Sequence, residues 1–242
     1  MSADAGPPAS APATARARAR AELTREITDA ARRQLAEHGS DGLSLRAVAR
    51  ELGMASSAVY RYYASRDELL TALIVEAYDA VGDAAEAAAR SSSGPAVERF
   101  VAVAIAIRRW AVEHPHDYAL IYGSPVPGYS APTDTVTPAV RVALAALSVF
   151  TDRASAGEVR TTRTDRVPGS VEDAFDRLRA EVGDSLTDDV LTRILLAWTA
   201  LFGTISFELF GHLHGMVEDY DTFFEHQMRR VAQFAVTGDA PA

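Results

Sequence analysis

The chain has no cysteine and no lysine. Without cysteine there can be no disulfides and no thiolate metal sites. Without lysine, all 24 strongly basic residues are Arg. That bias, like the abundance of Ala and Val, is what a GC-rich coding sequence produces, and it carries no functional weight. No apolar run is expected to reach the length of a membrane span, and the N-terminus lacks the positive-then-apolar pattern of a secretion signal. No segment of any length alternates with strand period, and no internal repeat is visible. A nucleophile-elbow glycine pattern and a phosphate loop are both missing, and the remaining Ser, His and Asp form no catalytic constellation. These absences predict an all-α cytoplasmic protein that is not an enzyme, with no cofactor and no membrane partner.

Charge is plentiful but uneven. The net charge is −9, yet residues 1–66 hold ten Arg against seven acids, while the rest holds 14 Arg against 26. A polyanion is bound by a local basic patch rather than by whole-chain charge. A basic head on an acidic body therefore fits a DNA binder, and the body discourages indiscriminate sticking to DNA.

Residues 43–63, LSLRAVARELGMASSAVYRYY, carry the most information. Ala49, Gly53 and Val59, with Val48 and Leu52 between, have the spacing of a helix-turn-helix. A small residue lets two helices approach, a glycine takes the turn where φ is positive, and a β-branched residue packs the second helix back. The expected elements are a first helix at 22–38 stopped by Gly39, a second at 45–52 capped by Ser44, and a third at 57–63 capped by Ser56. Leu23, Ile27, Ala31 and Leu35 supply the first helix's apolar stripe. The N-terminal part of a recognition helix enters the major groove. That places Ser56, Ser57, Ala58, Tyr60, Arg61 and Tyr62 toward DNA, with Ser44 and Arg46 at the edge of the site and Arg66 on a phosphate. Arg can bond guanine in bidentate fashion, and Ser and Tyr hydroxyls can meet bases or phosphates. Three tyrosines in four positions cannot all face a groove, so Tyr63 is assigned to the core. Arg50 reads as a solvated charge. Residues 1–20 are expected as a disordered arm whose Arg16, Arg18 and Arg20 touch phosphates weakly.

At 22–75 the residues match a family. ITDAARRQLAEHG, LSLRAVARELG and AVYRYYASRDELL, with the tyrosine-rich helix end followed by Ser-basic-acidic-Glu-Leu-Leu, resemble the TetR family of transcriptional regulators. The resemblance implies a three-helix DNA-binding domain at 21–66, a helical ligand-binding and dimerisation domain at 67–242, and a homodimer on a pseudopalindromic operator in double-stranded DNA. It puts Tyr60 and Arg66 on phosphates and makes Arg46, Ser56, Ser57, Ala58 and Tyr62 the base-facing set. The body is similar to a C-terminal subclass common in actinobacteria, through WAVEHP, YALIYGSPVPGY and WTALFGTISFELFGH.

The body reads as successive helices: a long one at 66–90 capped by Ser65, then 95–113, 116–123, 135–150, 171–182, 187–213 and 219–236. Residues 151–170 read as a mobile loop. The helix at 187–213 is apolar almost all round and must be covered on most sides. Leu201, Ile205, Phe207 and Phe210 there, with Phe223, Phe224, Met228 and Val231 on the last helix, are the expected dimer interface; burial within one subunit is the alternative. Phe100, Ile107, Trp110, His114, Tyr118, Tyr122, Trp198, Phe202 and His212 are candidates for lining an effector pocket, mostly apolar with a few polar groups. The PVPGY loop could be its lid, or a rigid connection. His114-x-His116 and His212-x-His214 point about 200° apart on a helix and do not suggest a metal. The reading is a repressor released from its operator by an unidentified hydrophobic small molecule. The alternative is a regulator whose body senses a protein partner or no ligand.

Overall fold

The computed structural model describes residues 11–155, 157, 159–160, 167–182 and 186–239. It contains no strand among these residues. The helices are α1 (Ala11–Gly42), α2 (Leu45–Glu51), α3 (Ser56–Val59), α4 (Arg66–Ser91), α5 (Ala96–Glu113), α6 (Pro115–Tyr122), α7 (Val136–Ser155), α8 (Gly169–Val182), α9 (Asp188–Leu209) and α10 (Tyr220–Thr237). The chain divides into two compact units, residues 1–73 with 125–129 and residues 74–124 with 130–242.

In the first unit, Ile27, Ala31, Val48, Ala49, Val59, Leu69, Leu70 and Leu73 are buried. The α1 stripe and the short residues of α2 and α3 thus close a small core, as their spacing predicts. Gly53 takes φ 65 in the turn between α2 and α3, the left-handed region where a Cβ is penalised. Gly39, at φ 68, breaks α1 near its end. A carboxylate-amide lock sets α2 on α1: Arg33 Nε donates to Glu51 at 2.6 Å, Gln34 Nε2 to Glu51 at 3.4 Å, and the Ser44 N–H to Gln34 Oε1 at 3.4 Å.

Beyond shifts of a few residues at helix ends, such as α9 stopping at Leu209 rather than 213, four differences from expectation stand out. First, α1 begins at Ala11, so 11–20 are helical rather than a disordered arm. Ala and Arg are strong helix formers, and a preformed helix extends with little further cost. Residues 1–10 lie outside the described residues. Second, Ala55, not Ser56, is the N-cap of α3, and beyond Val59 the chain continues in tight turns. Third, α7 runs to Ser155. Fourth, Val159 is buried and the Arg160 N–H donates to the Val236 carbonyl at 2.8 Å, so part of the expected loop is anchored. Residues 161–166 lie outside the described residues. Ser65 caps α4 as expected: the Glu68 N–H donates to its Oγ at 3.1 Å, while the Glu68 carboxylate accepts from the Ala64 N–H at 2.6 Å. This is a variant of the capping box.

The second unit is a helical body. α10 packs on α5 and α9, and α7 packs on α5, α8 and α9. Phe100, Val103, Ile107, Tyr118, Phe150, Leu191, Ile194, Leu201, Ile205, Phe224 and Met228 form its core with Ala77, Val81 and Ala85 of α4. Two ionic knots tie helices together. On α9, Arg193 pairs with Asp189 at 2.8 Å and donates to the carbonyls of Ala235 and Arg160, both at 2.7 Å. On α7, Arg141 bridges Asp79 at 2.8 Å, Asp83 at 2.5 Å and Glu86 at 2.9 Å along α4. Its side chain lies over Gly82, where an added Cβ would sit 3.4 Å from Arg141 Cβ and 3.5 Å from Cζ.

The expectation that no run is long enough to span a membrane is corrected by two segments. Thr133–Thr151 and Asp188–Leu209 pass on length and composition alone, with mean hydropathies of 1.2 and 1.6. The apolar residues spread around each helix rather than forming one unbroken run, which hides their total. Each turns one face into the body core.

Candidate functional site

The first unit presents two short helices in sequence order with an exposed polar side. Arg46, Ser57, Tyr60 and Arg61 are exposed; Ser44, Ser56, Ala58, Tyr62 and Arg66 are half-buried. Tyr63 is buried, as assigned from the sequence, and Tyr60 keeps 44% of its surface open. The start of α3 has no side-chain cap, and of its first two residues Ser57 is exposed and Ser56 half-buried. Arg66 has a second task that the sequence did not reveal. Its guanidinium donates to the Ser40 carbonyl at 2.6 Å, tying the start of α4 to the turn after Gly39. Arg20 also acquires a role: its guanidinium lies over the Tyr62 ring, 5.0 Å from the centroid.

The body holds a chain of aromatic rings. Tyr122 sits 4.3 Å from Phe202, 5.2 Å from Tyr118 and 5.9 Å from Tyr78, and Phe202 sits 4.5 Å from Trp198, centroid to centroid. Offset and edge-on arrangements of this kind are favourable beyond simple burial. The cluster is mostly apolar with a few fixed hydroxyls. The Tyr118 hydroxyl lies 2.8 Å from Ser206 Oγ and donates to the Phe202 carbonyl at 3.1 Å; the Tyr78 hydroxyl donates to the Ile121 carbonyl at 3.2 Å. Burial pushes the Tyr118 phenol up to about 12 and raises those of Tyr122 and Tyr78 as well. All three stay neutral near pH 7.

Of the nine expected pocket residues, the structure brings together four: Tyr118, Tyr122, Trp198 and Phe202. Tyr78 joins them from α4, where nothing in the sequence sets it apart from the helix's other core-facing residues. Phe100 packs on Phe150, 5.3 Å between centroids, and Ile107 is fully buried core. Trp110 packs at a tilt against His114, 5.7 Å between centroids, and His212 against Phe207 at 5.2 Å. Both histidines are exposed. They fall at helix ends, where the backbone N–H rather than the ring closes the turn, as in the 2.8 Å bond from His114 to the Trp110 carbonyl. A cleft of 420 Å³ between α5 and α10, lined by residues such as Arg108, Arg109, Val112 and Thr222, uses none of the nine. Residues 125–129 group with the first unit, and the Tyr129 hydroxyl lies 2.8 Å from Thr71 Oγ1 on α4.

The expected dimer residues also divide. Leu201, Ile205, Phe224 and Met228 are 0–1% exposed within one subunit. This corrects their assignment: the body's own core already covers them. Phe207 and Phe210 are 53% and 45% exposed, joined by Leu196 at 52%. Phe223 and Val231 are half-buried.

A glycine-turned pair of short helices with an Arg-, Ser- and Tyr-bearing outer side, joined to a larger helical body, defines a helix-turn-helix transcriptional regulator. The comparisons agree. Residues 27–73 match the family of bacterial regulatory proteins named for tetR, and residues 100–231 match the tetracyclin repressor-like C-terminal domain. The chain is 42% identical over 210 residues to the HTH-type transcriptional regulators Rv1816 of Mycobacterium tuberculosis and Mb1846 of Mycobacterium bovis, covering 86% of this chain and 89% of each relative. The solved structure of regulatory protein SCO4313 is 36% identical with a TM-score of 0.72, covering 88% of this chain and 97% of that one. The chain belongs to the TetR family of DNA-binding transcriptional regulators, and its relatives are regulators rather than enzymes.

Proposed function

We propose that the protein is a homodimeric cytoplasmic repressor, released from a pseudopalindromic operator by a small, mostly apolar effector. Binding of that effector among Tyr78, Tyr118, Tyr122, Trp198 and Phe202 favours a state of the body in which two recognition helices no longer match major grooves one turn apart, about 34 Å. A coupling of about 1–3 kcal/mol changes operator affinity by up to about 150-fold.

The observation that carries this reading is the apolar face of α9. Leu196, Phe207 and Phe210 are open while the same helix's Leu191, Ile194, Leu201 and Ile205 are closed off. Gly203 is exposed between them with nothing within 4 Å of where a Cβ would stand, so a second helix can approach closely. The closed point-group symmetry of a two-fold dimer covers such a face and pairs two DNA heads. In the head, Tyr60 and Arg66 meet phosphates, Ser44 and Arg61 flank them, and Arg46, Ser56, Ser57, Ala58 and Tyr62 meet bases.

The test combines sedimentation with selection from a randomised duplex pool. A dimer at micromolar concentration and a selected motif with two inverted half-sites are expected. A monomer in sedimentation, or a single unrepeated half-site, overturns the proposal.

A further inference from the structure

We propose that the N-terminal turns of α1 are a second DNA-contacting element, in which Arg16 and Arg20 take phosphates of the duplex beside the recognition helix and Arg20 fixes the ring of Tyr62. The proposal rests on the assignment of residues 44–66 as the DNA-facing surface. Its own support is the geometry of Arg20, whose guanidinium lies 5.0 Å from the Tyr62 ring centroid. That stacking places this end of α1 beside the end of the recognition segment, not on a remote side of the head.

The local sequence gives the extension no other evident work. Residues 11–21 contain three Arg and no acid. Arg16, Arg18 and Arg20 are all exposed, and none forms an ion pair among the described residues. Helical geometry puts Arg16 and Arg20 within about 40° of one another on one face and about 6 Å apart along the axis, with Arg18 on the far side. Arg16 therefore continues, one turn outward, the face that Arg20 turns toward Tyr62. A planar guanidinium can lie on a ring and still offer edge N–H groups to a phosphate, which an ammonium does less well. Tyr62 itself is half-buried, with its N–H bonded to the Val59 carbonyl at 2.9 Å, so its ring pose is what Arg20 can still adjust.

The experiment uses the full chain and a duplex that the wild type selects from a randomised pool, with affinity followed by anisotropy across a salt series. R16A/R20A should bind more weakly, and the slope of log K against log salt should shrink by about 0.9 for each phosphate no longer neutralised. R20A should also relax preference at base pairs sensitive to Y62A, and should add nothing to that relaxation in a Y62A background. R20K should restore the slope but not the preference. Far-ultraviolet circular dichroism establishes that each variant is folded. An unchanged slope in R16A/R20A together with unchanged preference in R20A overturns the inference. If Y60A and R46A are equally without effect, the failure belongs to the DNA-facing assignment; if they weaken binding while R16A/R20A does not, it belongs to α1 alone.

Discussion

The Tyr118 hydroxyl and Ser206 Oγ lie 2.8 Å apart, joining α6 to α9 at the centre of the aromatic cluster. Tyr118 is completely buried, so its hydroxyl cannot turn to bulk water for a replacement, whereas Ser206 is half-buried. Tyr118→Phe should cost about 0.5–1.5 kcal/mol, the net worth of a hydrogen bond whose remaining partner can be hydrated, in urea unfolding. The pH dependence has a definite sign. Burial raises the phenol from 10.0 in the unfolded chain to about 12 in the folded one. Its contribution is complete below pH 10 and is lost as pH rises toward about 12. Y118F should lose part of the wild type's decline in stability across that window; an unaltered alkaline profile would show the shift to be unimportant.

Replacing Arg141 should weaken the body in a salt-dependent way. Arg141→Gln removes the partner of Asp79, Asp83 and Glu86 and leaves like charges one turn apart on α4. The side chains are partly exposed, so a loss of about 1 kcal/mol is expected at low salt, shrinking as salt is added. The hydrogen bond from Arg141 holds the Glu86 carboxyl below its ordinary 4.5. A lowered carboxylate gives stability above that ordinary value and loses it as pH falls through the folded one. The gap between wild type and E86Q should therefore close in acid; a gap that persists at pH 2 would mean Glu86 acts through packing.

Arg66 is expected to show two separable defects. Arg66→Ala should weaken binding to all duplexes and flatten the salt slope, because one phosphate is left without its cation. It should also lower the melting point of the head, because the Ser40 carbonyl loses its 2.6 Å donor. Tyr60→Ala should weaken binding to all duplexes while leaving the salt slope as in the wild type, because a neutral hydroxyl displaces no counterion. Ser57→Ala should instead relax sequence preference. An R66A salt slope equal to wild type would reduce Arg66 to its structural bond.

Charge on the open face of α9 should abolish the proposed dimer without unfolding the chain. Leu196→Glu and Phe207→Glu are expected to sediment as folded monomers, since both side chains are about half exposed. Met228→Glu, at 0% exposure, should unfold the body instead, because a carboxylate would be buried without a partner. A dimeric L196E/F207E would move the interface elsewhere.

The head was legible because each of its residues has a local reason to be where it is. Gly53 takes a positive φ, Ser65 caps a helix, and only one of three clustered tyrosines can be core. The body was legible as helices but not as faces. On α9 apolar residues fall on every side of the helix, so no period distinguishes Leu196, which is open, from Leu195 or Leu201, which are not. The ion pairs of Arg108 with Glu208 at 2.6 Å and Asp221 at 2.7 Å, and of Arg141 with α4, join residues 55 to 113 positions apart. Spacing along the chain carries no trace of such partners. The extension of α1 was misjudged for the opposite reason. Its Ala, Pro and Arg composition suits disorder in isolation, but a helix already nucleated downstream can absorb it.

Gly82 and the three carboxylates around it make the middle of α4 a poor helix on its own terms. A mid-helix glycine costs roughly 1 kcal/mol against alanine, and Asp79, Asp83 and Glu86 repel along one side. One guanidinium from α7 offsets the repulsion, and the same side chain covers the bare backbone at Gly82. The rigidity of α4 is therefore conditional on its neighbour. Any event that withdraws α7 leaves the three charges unopposed beside a glycine, so the middle of this 26-residue helix is where its own sequence supports it least.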